Sequence, residues 1–95
     1  MIQAVWNGTV IAESDHTVVI EGNHYFPAAS VKREYLKDSK TTSFCGWKGD
    51  ASYYSVDING EENTDAAWYY AAPNARAENI RGHVAFWKGV EIREV

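Results

Sequence analysis

Short apolar runs, rich in β-branched and aromatic residues and broken every few positions by glycine or asparagine, set the pattern of this chain. Ile2 to Trp6 predicts a strand, Asn7-Gly8 a turn, and Thr9 to Glu13 a returning strand. Ser14-Asp15-His16 is a polar loop, and Thr17-Val18-Val19-Ile20-Glu21 is a third strand closed by Gly22-Asn23. His24-Tyr25-Phe26 is extended, because the residue before Pro27 avoids helical angles. Behind that proline, Ala28, Val31 and Tyr35 follow helical spacing and predict a short helix from Ala28 to Leu36. Asp38 to Lys40 is a loop. Thr41 to Cys45, Ala51 to Ile58 and Glu61 to Tyr70 predict three more strands, joined around Gly46 to Asp50 and at Asn59-Gly60. Ala75 to Arg81 predicts a second short helix ended by Gly82, and His83 to Phe86 with Val90 to Glu94 a last hairpin. The expected fold is mainly β (α+β): a single antiparallel, twisted or barrel-like sheet of about eight short strands with two short helices. No linker or low-complexity stretch divides it, so residues 1–95 are expected to form one domain.

Turn length decides which side chains share a face. At the last hairpin, a three-residue loop Trp87-Lys88-Gly89 pairs Phe86 with Val90 and Val84 with Ile92, putting all four on one face. Such a loop is a type I turn ending in a left-handed glycine, which forms a bulge. The same rule pairs Ile2 with Ala12 and Ala4 with Val10, and Tyr54 with Thr64 and Val56 with Glu62. At the central turn it sets Cys45 opposite Ala51 and Ser43 opposite Tyr53. Chaining these registers makes Cys45, Tyr53 and Asp65 converge on one polar face, which also carries Tyr69, with two alanines leaving room beside the thiol. Trp-x-Gly occurs three times, at Trp6, Trp47 and Trp87. The first and third copies share Trp-x-Gly-x-x-Ile-x-Glu, so the chain ends are candidates for related hairpins, although turn preferences alone favour such sequences.

Charge narrows the partners. The net charge of −4 opposes non-specific nucleic-acid binding, which needs a basic surface. The one cysteine permits neither an intramolecular disulfide nor a cysteine-based structural zinc site. His16, His24 and His83 have no ligand spacing, so no metal and no cofactor is expected. There is no secretion signal and no run long enough to span a membrane, which makes a reducing cytoplasm the default expectation.

Several motifs together resemble a known family. Trp6-Asn7-Gly8, Glu21-Gly22-Asn23-x-Tyr25-Phe26-Pro27, Cys45-x-x-Lys48-Gly49-x-Ala51-x-Tyr53-Tyr54, Ala67-Trp68-Tyr69-Tyr70 and Val84-Ala85-Phe86-Trp87 resemble the pattern of domain of unknown function 427. The resemblance runs from about Val5 to Val90. It implies a small, mainly-β bacterial or fungal domain, usually standing alone, and no established reaction. A nucleotidyltransferase label sometimes attached to that family finds no support here. The sequence has no Gly-Ser followed by a closely spaced acidic pair, and no Gly-x-x-x-x-Gly-Lys phosphate loop.

The candidate chemistry centres on Cys45. As a nucleophile it needs a lowered pKa, which Lys48 or a nearby histidine would supply, with Asp65 assisting. The alternative is a small packed hydrophobe, the commoner state of a free cysteine. Tyr53, Tyr69, Ser43 and Lys88 are candidate ligand-binding residues: Tyr53 beside Asp65, Tyr69 as a stacking platform, Lys88 for an anionic group. Trp47, Trp68 and Tyr70 are further aromatic candidates. Three functions remain open: a domain binding a small molecule around Cys45, Tyr53, Asp65 and Tyr69; an enzyme with Cys45 as nucleophile; and a structural or protein-interaction module. The sequence fixes no oligomeric state.

Overall fold

Nine strands form in the computed structural model, which describes residues 1–95. They are β1 (Ile2–Trp6), β2 (Thr9–Ser14), β3 (Val18–Ile20), β4 (Asn23–Tyr25), β5 (Leu36–Cys45), β6 (Gly49–Ile58), β7 (Glu61–Tyr69), β8 (Val84–Phe86) and β9 (Glu91–Glu94). The protein is mainly β and antiparallel, as expected, but the strands divide into three sheets rather than one, and none closes into a barrel. One sheet has the order β2-β1-β9, a second is the β3-β4 hairpin, and the third runs β5-β6-β7-β8.

The two Asn-Gly turns are tighter than expected. Asn7 and Gly8 have φ of 50° and 72°, and Asn59 and Gly60 have 53° and 82°. Positive φ at both central residues makes these two-residue turns, which asparagine tolerates and whose twist matches the flanking strands. Trp6 therefore pairs with Thr9, and Ile58 with Glu61. The irregularity that was expected inside the loops falls instead within the strands. In β2 an extra residue, Ile11, lets Ala4 pair with Ala12, so that Ile2 pairs with Ser14 rather than Ala12. In β7, Thr64-Asp65-Ala66 stand opposite Ser55 alone, so Tyr54 pairs with Ala67 and Tyr53 with Trp68. In β5, Ser39-Lys40-Thr41 stand opposite Tyr53 alone. The loop after Cys45 is Gly46-Trp47-Lys48, pairing Cys45 with Gly49 and Ser43 with Ala51.

The chain ends do not form related hairpins. Past Phe86 the backbone turns at Lys88 and Gly89, with φ of 53° and 86°, and leaves its sheet. Thus β8 pairs with β7 while β9 pairs with β1, where Ala4 meets Ile92. The facing of side chains survives this change: Val84, Phe86 and Val90 are buried in one cluster, with Ile92 packed against it. That larger core lies between β1-β2-β9 and the four-stranded sheet, and includes Ile11, Phe26, Val56 and Ile58. Phe26 and Phe86 meet edge to face at 5.7 Å. Backbone bonds of 2.8 and 2.9 Å between Phe26 and Val84 tie the end of the β3-β4 hairpin to β8.

Neither expected helix is α-helical. Ala28–Ser30 and Arg33–Tyr35 are separate single 3-10 turns, interrupted where Lys32 donates its backbone N–H to Ile11 and Val31 bridges to Ala12. Leu36 already belongs to β5. The second, Ala75–Ile80, is a 3-10 segment kinked at Ala77. It buries Ala77 and Ile80 against a smaller core that holds Tyr25, Ala51, Tyr70 and Ala85. No helix is long and apolar enough to cross a membrane.

Candidate functional site

Beside the smaller core lies the one cavity of the molecule, of about 180 Å³. The β3-β4 hairpin supplies Asn23 and Tyr25, the central turn Lys48, and the sheet Tyr53 and Trp68; Tyr70 and Trp87 complete the lining. Register explains why the two residues from the sheet meet: Tyr53 and Trp68 are directly paired across β6 and β7. Trp68 stands edge-on to Tyr25, at 6.2 Å and 90°, and donates its indole N–H to the Tyr25 hydroxyl at 3.2 Å. Trp87 meets the other side of Trp68 at 5.9 Å. Tyr70 lies 6.5 Å from Tyr25. Tyr25, Trp68, Tyr70 and Trp87 are each held by another ring, so this part of the aromatic wall has little freedom to collapse into the space.

Lys48 is the unusual member. Its side chain is only 7% exposed, where lysine is almost never buried unpaired. Its ammonium is ion-paired with Glu21, which sits at the tip of the β3-β4 hairpin with φ of 54°. The Glu21 side chain is itself 54% exposed, and its second oxygen accepts from the Trp47 indole at 3.4 Å. The ammonium also lies 5.1 Å from the Trp47 ring centroid and 5.8 Å from that of Tyr70, a cation–π arrangement. Burial works against the charged amine, but the Glu21 carboxylate, helped by Tyr25, Tyr70 and Cys45, outweighs it, and the Lys48 pKa rises. Bonds from Lys48 and Trp47 hold the Glu21 carboxyl below its ordinary value. Burial raises Tyr25, and raises Tyr70 to about 12, so both phenols stay protonated at neutral pH.

The backbone carrying Lys48 is braced from behind. Asn74 donates its N–H to the Lys48 carbonyl at 2.9 Å and its side-chain amide to the Gly46 carbonyl at 3.4 Å. The next residue, Gly49, has φ of 109°, a backbone conformation that only glycine adopts without strain. Cys45, half-buried at the base of this turn, lies against the smaller core but outside the cavity lining. The backbone N–H of Lys48, then that of Trp47, stabilise its thiolate and pull its pKa down, overcoming the opposing effect of burial.

The residues singled out from the sequence thus part company. Cys45 and Lys48 stay together, and Tyr53 lines the cavity with its hydroxyl 2.9 Å from that of Ser43. Asp65 does not join them. The extra residues in β5 and β7 carry it away from Tyr53, and its carboxylate accepts from Ser39 at 2.5 Å and Thr41 at 2.7 Å. Its N–H donates to Ser55 at 3.0 Å and its carbonyl accepts from the Trp87 indole at 2.6 Å. Asp65 therefore pins the two irregular segments together across β6. Tyr69 is also absent from the cavity: the changed register puts it on the opposite face, stacked on Tyr54 at 4.6 Å. Lys88 belongs to the Asp65 end, donating to the Thr64 carbonyl at 3.2 Å and covering the Trp87 ring. Glu21, Asn23 and Tyr25 were not among the candidates drawn from the sequence. Their one signal was membership of Glu21-Gly22-Asn23-x-Tyr25-Phe26-Pro27.

Asp65 makes a prediction of its own. Ser39 and Thr41 hold its carboxyl below the ordinary 3.8. A depressed carboxyl stabilises the fold above the unfolded-state pKa and loses that contribution as pH falls through the folded one. Asp65→Asn keeps the left-handed backbone, since asparagine tolerates φ of 57°. It is expected to unfold at lower urea concentration at pH 7 and to lose less stability than the native protein between pH 5 and pH 3. Urea denaturation at several pH values checks both.

No curated protein sequence matches the chain. A family model does, over residues 1–95, its whole length. By that match the protein belongs to the family described as Domain of unknown function (DUF427).

Proposed function

We propose that this domain binds a small molecule, a single ring with a short substituent, in the cavity walled by Tyr25, Tyr53, Trp68 and Tyr70. The observation that carries this reading is a buried, charged Lys48 at the edge of an aromatic cavity. Folding alone gains little from such an arrangement, because desolvating an ion pair costs about as much as the pairing returns. Volume sets the ligand's size: a cavity of roughly 150 Å³ takes benzene, and this one measures about 180 Å³. Rings standing edge-on around the space suit a flat or cyclic partner. The acidic net charge favours such a ligand over nucleic acid, and the lone free cysteine suits a cytoplasmic setting.

Amide chemical-shift mapping with benzyl alcohol as probe tests the reading. Saturable shifts are expected at residues 23–25, 47–49, 53 and 68–70, and Trp68→Ala is expected to weaken binding about tenfold. Scattered, non-saturating shifts would remove the proposal.

A second reading has its own observation. The depressed Cys45 thiol supports nucleophilic chemistry, with Lys48 beside it but with Asp65 engaged elsewhere. A lower pKa means more thiolate at pH 7. Iodoacetamide is then expected to alkylate Cys45 faster than it alkylates glutathione at that pH; an equal or slower rate leaves the thiol as a packed side chain.

A further inference from the structure

Resting on the ring-binding reading, we infer that Glu21 is a specificity residue: by holding Lys48 as a neutral pair it makes the cavity select an uncharged, acceptor-bearing ring over a carboxylate. The ammonium has three donors. The one hydrogen-bond acceptor it meets is the Glu21 carboxylate, and Trp47 and Tyr70 flank it with ring faces. Donor capacity therefore remains for a carbonyl or amide oxygen from a ligand. Charge capacity does not. Glu21 cancels the lysine, and among the other polar neighbours in the lining Asn23 carries no charge and the phenols of Tyr25 and Tyr70, raised by burial, stay protonated at neutral pH. A ligand carboxylate entering beside Glu21 would set two like charges on one lysine whose side chain is only 7% exposed. An amide would add its oxygen to the ammonium and keep the pair intact.

The position of Glu21 fits this role. It lies outside the lining, on a hairpin tip, and reaches Lys48 from the solvent side with its carboxylate steadied by Trp47. The residue that sets the charge of the site is thus separate from those that shape it. Changing Glu21 should alter which ring is accepted without altering the space that accepts it.

Benzamide and benzoate are the matched probes, equal in size and different in charge. Binding is followed by tryptophan fluorescence, with circular dichroism confirming that each variant is folded. The native protein is expected to bind benzamide about tenfold more tightly than benzoate, and Glu21→Gln to reverse the order by freeing the lysine charge. Lys48→Met, which removes the ammonium and leaves Glu21 in solvent, is expected to weaken benzamide and to gain nothing for benzoate. Should Glu21→Gln fail to fold, the native preference and the Lys48→Met result decide the matter. Native protein that binds benzoate as tightly as benzamide overturns the inference while leaving the cavity a ring site. So does a Glu21→Gln variant that keeps the native order. Binding of neither probe by any folded form overturns the ring-binding reading, and this inference with it.

Discussion

A lysine ammonium surrounded by tyrosine and tryptophan rings needs a carboxylate, and here that requirement ties together parts of the chain that are far apart in sequence. Lys48 sits in the turn between β5 and β6, and Glu21 on the tip of the β3-β4 hairpin. Their pairing holds the hairpin over one end of the four-stranded sheet, with Tyr25 and Asn23 facing Tyr53 and Trp68. The hairpin is also attached by the backbone bonds between Phe26 and Val84 and by the Trp68–Tyr25 bond, so its place does not depend on the ion pair alone. Removing Glu21 strands the buried Lys48 charge, whereas removing Lys48 leaves Glu21 largely in solvent.

The opposite end is governed by Asp65. Two strands each carry three residues where their neighbour has one, and the Asp65 carboxylate joins both irregular segments through Ser39 and Thr41. This junction has a consequence at a distance. It slides the outer half of β7 by two residues, so that Trp68 pairs directly with Tyr53 and Ala67 with Tyr54, while the two-residue Asn59-Gly60 turn sets Tyr69 on the Tyr54 side. Asp65 thus touches the cavity's lining only at Trp87, whose indole donates to the Asp65 carbonyl and links the two ends.

Much of the framework was legible in local sequence. Asn7-Gly8 and Asn59-Gly60 marked turns, and Val84, Phe86, Val90 and Ile92 were rightly expected on one apolar side. Pairing partners were not legible, because a core face can be satisfied by strands of two sheets as readily as by a hairpin. That is why β8 and β9 part after Phe86. The inserted residues in β5 and β7 escaped for a different reason: they are fixed by hydrogen bonds between positions 24 and 26 residues apart. A displacement there moved Asp65 out of the expected site, and the two-residue turn at Asn59-Gly60 moved Tyr69 to the other face. Cys45 and Lys48 stayed together because one short turn carries both. Glu21 looked like a strand end, and only the contact with Lys48 gives it a role.

The central claim is that Lys48 is buried as a protonated partner of Glu21. Carbon-13 NMR of the lysine ε-carbons, followed into the alkaline range with Lys48→Arg for assignment, tests it most directly. Lys48 is predicted to titrate above the 10.5 of an ordinary lysine. Titration at or below that value would mean that desolvation outweighs the carboxylate, and would contradict the account.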